Sequence, residues 1–296
     1  MSWIKRFGYF ILTNLLVMIT ISIAFNLIIH FFGFEKFAGY TGLLAVWSLV
    51  WGMGGAFISL FISKWTVKRM MGVQVIDPSQ ANPRERELLD IVHNLCRSAG
   101  IEQMPEVGIY DAPEINAFAT GPSRNSALVC VSTGLLNAMN RDQIEGVLGH
   151  EIAHVANGDM VTMTLIQGVV NAFVLFFSRI LAGLIAQNVD SRNRGIVRFA
   201  LSMLFDILFG ILGSILVCYF SRQREYRADA GGAKYAGRAK MISALRRLQT
   251  QVDQIAPDQT SLATMKISSR PAGVMALFGT HPKLEDRISR LEHLPG

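Results

Sequence analysis

Charge is scarce in this chain. Asp, Glu, Lys and Arg make up 17% of its 296 residues, against about 25% in soluble domains. Two stretches, Ile11–Phe32 and Tyr40–Ile62, contain none of the four. Each exceeds the roughly 20 residues that cross a bilayer, which excludes a wholly soluble fold. Cysteine is nearly absent as well. Cys96, Cys130 and Cys218 are scattered, odd in number and form no C-x-x-C. That excludes a disulfide framework and a cysteine-based zinc module, and it suits a reducing compartment. No nucleic-acid motif is present. The net charge of +6 fits a protein at a membrane surface and needs no nucleic acid.

Long apolar runs dominate the remainder. Met160–Ala186 is interrupted only by Arg179, and Phe199–Ser221 only by Asp206. With the two uncharged stretches they predict four spans, in a chain of mean hydropathy +0.34. The first run follows Lys5 and Arg6 but is longer than the about 7–15 residues of a signal h-region, so it reads as a retained anchor. Trp3, Tyr9, Tyr40 and Trp65 flank the predicted spans as an aromatic belt would. Arg179 and Asp206 each lie seven residues from the far end of their runs, so in a hairpin they come level and are expected to pair. Basic residues set the orientation. Nine of them (Lys5, Arg6, Lys64, Lys68, Arg69, Arg222, Arg224, Arg227, Lys234) flank one side and four (Lys36, Arg192, Arg194, Arg198) the other. The bias puts the N-terminus and both polar segments in the cytoplasm.

His150-Glu151-Ile152-Ala153-His154 reads H-E-x-x-H. Histidines four apart leave one face of a helix and can share one ion, with the intervening Glu beside it as a general base. Asn140 and Gln143 form a capping pair for this helix, and Gly158 ends it. A catalytic zinc takes three protein ligands and leaves one position open. The metzincin third histidine is excluded, because Met160 occupies its position. Glu225 is the candidate instead. It begins four residues after the fourth run, and His154 ends close before the third. If those runs form a hairpin, both sites emerge together. Asp229, one turn after Glu225, is placed to accept a hydrogen bond from a ligand histidine. Taken alone, Glu225 and Asp229 also read as surface charges paired with Arg222, Arg224 or Arg227.

The polar blocks have globular character. Pro83–Ala99 predicts an amphipathic helix. Strands are expected at Glu106–Tyr110, at Ile115–Thr120 with a stop at Gly121-Pro122, and at Ala127–Ser132. Further helices are expected near Arg222–Ala236, Ala239–Ile255 and Pro282–Leu291, with Ala256–Gly273 as a loop. Arg287 reads as a surface charge of the last helix. The domain plan is a first transmembrane hairpin over 1–63 and a cytoplasmic block over 64–158. A second membrane hairpin covers 159–221, and a second cytoplasmic block covers 222–296.

H-E-I-A-H-V-A-N-G-D, the later E-Y-R-A-D, Asn116-Ala117-Phe118-Ala119 and Thr280-His281-Pro282 together resemble the HtpX family. This is the bacterial branch of the Ste24-type (gluzincin) integral membrane zinc metalloproteases, and the resemblance runs over essentially the whole chain. It implies a mainly α membrane protein: four transmembrane helices plus a cytoplasmic α+β zincin-type protease domain with a small sheet. It implies one Zn2+ held by His150, His154 and Glu225, with Glu151 as the base. It also implies an edge strand at Asn116 and Ala117 that pairs with substrate backbone, and a role for His281 near the metal, as oxyanion donor or as a cap. The implied activity is endopeptidase action in the inner membrane, facing the cytoplasm and including self-cleavage. The implied substrates are misfolded or damaged membrane proteins and unfolded polypeptides, handled beside a membrane-bound ATP-dependent protease. The alternatives are a zinc-dependent intramembrane protease and a catalytically silent membrane scaffold.

Overall fold

The structure is a computed structural model, and it describes residues 40–254 and 279–294. The first apolar run and the Ala256–Gly273 segment lie outside the described residues. The chain order is α1 (Tyr40–Met71), β1 (Gln74–Val75), α2 (Pro83–Ser98), β2 (Glu106–Tyr110), β3 (Ala117–Ser123) and β4 (Ser126–Ser132). It continues with α3 (Thr133–Ala138), α4 (Arg141–Asn157), α5 (Asp159–Ala186), α6 (Arg194–Ala236), α7 (Arg238–Gln254) and α8 (Leu284–Glu292). Packing divides the molecule into two units. One holds the residues up to Leu60 with Met163–Val217, the other Phe61–Thr162 with the residues from Cys218 on.

Among the described residues the first unit is helical apart from the turn at 187–193. Among the described residues three helices, α1, α5 and α6, are long and apolar enough to cross a membrane, so a count of four spans is not established. Leu49, Phe173, Phe177, Leu184, Phe199 and Ile207 are large, apolar and exposed, as expected of side chains that face lipid rather than water. Arg179 and Asp206 pair inside this unit. Arg179 Nη1 lies 3.0 and 2.8 Å from the two oxygens of Asp206, and the guanidinium stands 6.0 Å from the Trp47 ring centre.

The second unit packs helices on a four-stranded sheet of order β1-β2-β4-β3. The β2–β4 pair is parallel and its neighbours are antiparallel. Leu88, Val92 and Leu95 of α2, Val107, Val129 and Val131 of the sheet, and Leu148, Ile152 and Val155 of α4 meet in one core with Leu245 and Leu291. Capping boxes start both α2 (Asn82 with Glu85) and α4 (Asn140 with Gln143). Gly158, at φ 67°, closes α4 in the left-handed conformation.

Two elements run further than the sequence reading. Strand β3 passes through Gly121-Pro122 rather than stopping there, with a register shift between Thr120 and Ser123. Pro122 is tolerated because β3 is an edge strand. Gly121 is required at the bulge, since its φ is 139° and an added Cβ would lie 2.2 Å from the Ser126 carbonyl oxygen. Helix α6 is continuous over 43 residues. The fourth apolar run and the expected Arg222–Ala236 helix are one element, because no Pro or Gly breaks the Leu216–Ala230 stretch.

Candidate metal and catalytic site

Two helices build the site. His150, Glu151 and His154 project from α4, and Glu225 and Asp229 from the C-terminal part of α6. The helices approach closely through glycine. A Cβ on Gly231 would lie 2.6 Å from Ala153 Cβ, and one on Gly232 would lie 3.0 Å from the His150 nitrogen. With side chains at these positions the helices would stand further apart and the Glu225–histidine contacts would open.

The ligand-type atoms of His150, His154 and Glu225 lie within 4.8 Å of one another. His150 Nε2 and His154 Nε2 are 3.1 Å apart. Glu225 Oε2 lies 3.4 Å from His150 Nε2, and Oε1 lies 3.4 Å from His154 Nε2. Two donors about 2.0–2.1 Å from one tetrahedral ion stand about 3.4 Å apart, so this spacing fits a shared ion. All three side chains are buried, and Glu225 Oε1 has no hydrogen-bond partner. That oxygen is held only by contacts of 3.4 Å to His154 and 3.6 Å to Arg224, which leaves a buried carboxylate under-satisfied, and a cation between the two histidines would give it a closer partner. The His2Glu set thus fits zinc in donor type, number and spacing.

The outward nitrogens of both histidines are fixed by carboxylates. His150 Nδ1 donates to Asp229 Oδ1 at 2.9 Å, and His154 Nδ1 meets Asp159 Oδ2 at 2.6 Å. Each contact orients a ring so that Nε2 faces the shared gap. Arg287 then holds Asp229, with Nη2 and Nε at 2.6 and 2.8 Å. Burial disfavours charge on His150, but hydrogen bonds to Asp229 and Glu225 outweigh it and lift its pKa to about 9. Burial likewise opposes charge on His154, and Asp159 and Glu225 raise it. Burial opposes charge on Glu225, yet the three histidines His150, His154 and His281 hold it well below the carboxylate range. Asp229, against the same penalty, is held down to about 2 by Arg287.

Glu151 is buried but stands outside the ligand cluster. Its Oε2 accepts the Ala119 backbone N–H at 3.0 Å, which ties it to the edge strand. His281 Nδ1 lies 2.9 Å from Glu225 Oε2, so His281 reaches the cluster through the carboxylate. Ala117 opens β3, whereas Asn116 precedes it. The Asn116 N–H donates to Ser132 Oγ at 3.1 Å and its carbonyl accepts the Ser132 N–H at 2.9 Å. Its backbone is therefore committed to the β4 side. Antiparallel strands alternate inward and outward pairs, so Ala117 and Ala119 are the residues whose N–H and C=O face the open edge. A cavity of about 290 Å³ is lined by these residues and the histidines, and also by the apolar side chains of Val147, Met241, Leu245 and Leu248.

Two functional side chains and one backbone group escaped the sequence reading. Arg287 is not a surface charge. Only 2% of it is exposed, because it shares the buried face of α8 with Leu284, Ile288 and Leu291. Its spacing from those residues was the available signal: an arginine at an apolar position needs a buried anion. Asp159 follows the α4 cap directly, which brings its carboxylate back to His154. Nothing in the sequence marks Ala119, because its contribution is a backbone amide.

The model of peptidase family M48 matches residues 82–295. The chain is 49% identical over 295 residues to a protease HtpX homolog of Bacillus licheniformis, covering 97% of this chain and 99% of that one. It is also 49% identical to the protease HtpX of Alkalilimnicola ehrlichii, covering 99% and 100%. The crystal structure of S. mikatae Ste24p aligns with TM-score 0.61 at 20% identity, over 98% of this chain and 67% of that one. At that identity the likeness speaks for the fold.

Proposed function

This chain belongs to peptidase family M48 as an HtpX-type membrane metalloprotease, and from that premise we propose that it is a zinc-dependent endopeptidase of the bacterial inner membrane. Its site faces the cytoplasm and cleaves misfolded or damaged membrane proteins and unfolded polypeptides. The observation that carries the zinc reading is the buried His150–His154–Glu225 cluster with Glu151 beside it. The basic residues flanking the predicted spans support the cytoplasmic orientation. The site shares its unit with a four-stranded sheet, which argues against a metal inside the bilayer.

His150, His154 and Glu225 would hold the ion, and Asp229 and Asp159 keep the two rings in place. Zinc bound there supplies carbonyl polarisation and lowers the pKa of a water to about 7. Glu151 accepts the proton of the attacking water and returns it to the leaving nitrogen. The Ala119 amide fixes the carboxylate for both transfers. A substrate extended along β3 exchanges main-chain hydrogen bonds with Ala117 and donates to the Ala119 carbonyl, whose N–H stays on Glu151, so recognition depends little on sequence. Asn116, its backbone bonded to Ser132, lines the same cavity. His281 donates to the oxyanion that develops at the scissile carbonyl. Weak sequence dependence suits quality control, in which this chain would act beside a membrane-bound ATP-dependent protease.

The test is digestion of unfolded casein by the purified chain in detergent. Activity lost to a chelator and restored by stoichiometric zinc supports the reading. Activity indifferent to chelation contradicts it.

A further inference from the structure

We propose that Arg222 is a positioning residue for His281. The inference rests on the role given to His281 above and begins from one face of α6. Arg222, Glu225 and Asp229 lie three and four residues apart, so they rise along a single stripe of the helix. Each holds a different point of the segment that follows residue 278. Arg222 Nη1 donates to the Gly279 carbonyl at 2.8 Å. Glu225 receives His281, and Asp229 receives Arg287.

The lowest of these holds is the one nearest the His281 backbone. Gly279 is buried, so its carbonyl requires a donor. The other end of the segment is not fixed by a local cap, since Lys283 at the start of α8 makes no side-chain cap hydrogen bond. The path of Thr280-His281-Pro282 is therefore set by α6, through Arg222 on one side and Arg287 on the other. Arg287 is tied to the metal cluster through Asp229, so its loss disturbs binding as well. Arg222 touches the segment two residues from His281 without contacting either ligand histidine. Its loss would let the imidazole drift while leaving the ion in place. Misplacement of a catalytic group by about 1 Å costs up to about 100-fold in rate.

The test uses the full chain in detergent with dye-labelled casein, zinc content and thermal unfolding as readouts. Arg222→Met is expected to lower kcat about tenfold or more with KM and zinc stoichiometry unchanged, to lower the unfolding temperature because the buried Gly279 carbonyl loses its donor, and Arg222→Lys to recover part of both losses. In a His281→Ala background, Arg222→Met is expected to cause no further loss. Multiplied losses in the double variant would overturn the proposal, as would an Arg222→Met enzyme with wild-type kcat. If Arg222→Met does not fold, Arg222→Gln, which keeps a shorter donor, carries the same comparison. A His281→Ala enzyme with unchanged kinetics would instead sink the role of His281 itself.

Discussion

Arg287 grips Asp229 with two hydrogen bonds, at 2.6 and 2.8 Å, in a place that water does not reach. The pair links the last helix to the His150–His154–Glu225 cluster, because Asp229 also holds His150. Removing one partner of a buried pair strands the other charge and costs about 3–5 kcal/mol. Arg287→Met is therefore expected to lower the unfolding temperature and to weaken zinc binding about 10–100-fold, the range for lost support around a ligand. Competition with a fluorescent chelator measures the second effect. Zinc affinity equal to wild type would show that Asp229 keeps His150 oriented unaided.

The raised pKa of His150 sets a pH dependence of opposite sign for the metal-free and metal-bound chains. In the metal-free chain the folded value is about 9 against 6.5 for the free side chain. That contribution to stability is complete below pH 6.5 and is lost as pH rises through 9. Metal binding needs the neutral ring and releases the proton, so zinc affinity strengthens over the same interval. Unfolding temperature, followed between pH 6.5 and 9, is expected to fall for the chelated protein and to hold or rise for the zinc-loaded one. Parallel curves would mean that His150 does not titrate with metal.

Ala119 offers a test of the edge strand. Its N–H faces Glu151 rather than β4, so Ala119→Pro removes the tether and no ladder bond. The variant is expected to retain zinc and lose at least about tenfold in kcat, as measured on casein. Phe118→Pro, one residue away, removes a bond to β4 and is expected to unfold the sheet. Equal activity in Ala119→Pro and wild type would free Glu151 from any need of that amide.

Arg179 and Asp206 meet between span-length helices, where an unpaired charge is expensive. Arg179→Leu and Asp206→Leu are each expected to lower the unfolding temperature in detergent, with the double variant recovering part of the loss. Simple addition of the two losses would mean that the pair carries no coupling.

Where the sequence was legible, the reason was local. Asn140, Gln143 and Gly158 write the ends of α4 in cap chemistry, and the two histidines share a face because helical spacing requires it. Arg179 and Asp206 could be matched by counting residues from a hairpin end. Glu225 needed a long-range argument, and the apolar runs supplied it. The rest was hidden for physical reasons. Arg287 looks like any charged residue of a short helix until the buried face of α8 is known. The Gly121-Pro122 bulge depends on β3 lying at an edge, which no local pattern states. Asn116 is adjacent in sequence to the edge proposed to bind substrate, yet Ser132 turns its backbone inward.

The central claim is that Glu151 performs the proton transfers while His150, His154 and Glu225 hold the metal. Glu151→Gln, purified in detergent and assayed for zinc by elemental analysis and for casein digestion, tests both halves at once. The account predicts one zinc per chain, as in wild type, with proteolysis reduced to near background. Loss of zinc from Glu151→Gln, or substantial proteolysis with zinc retained, would contradict it.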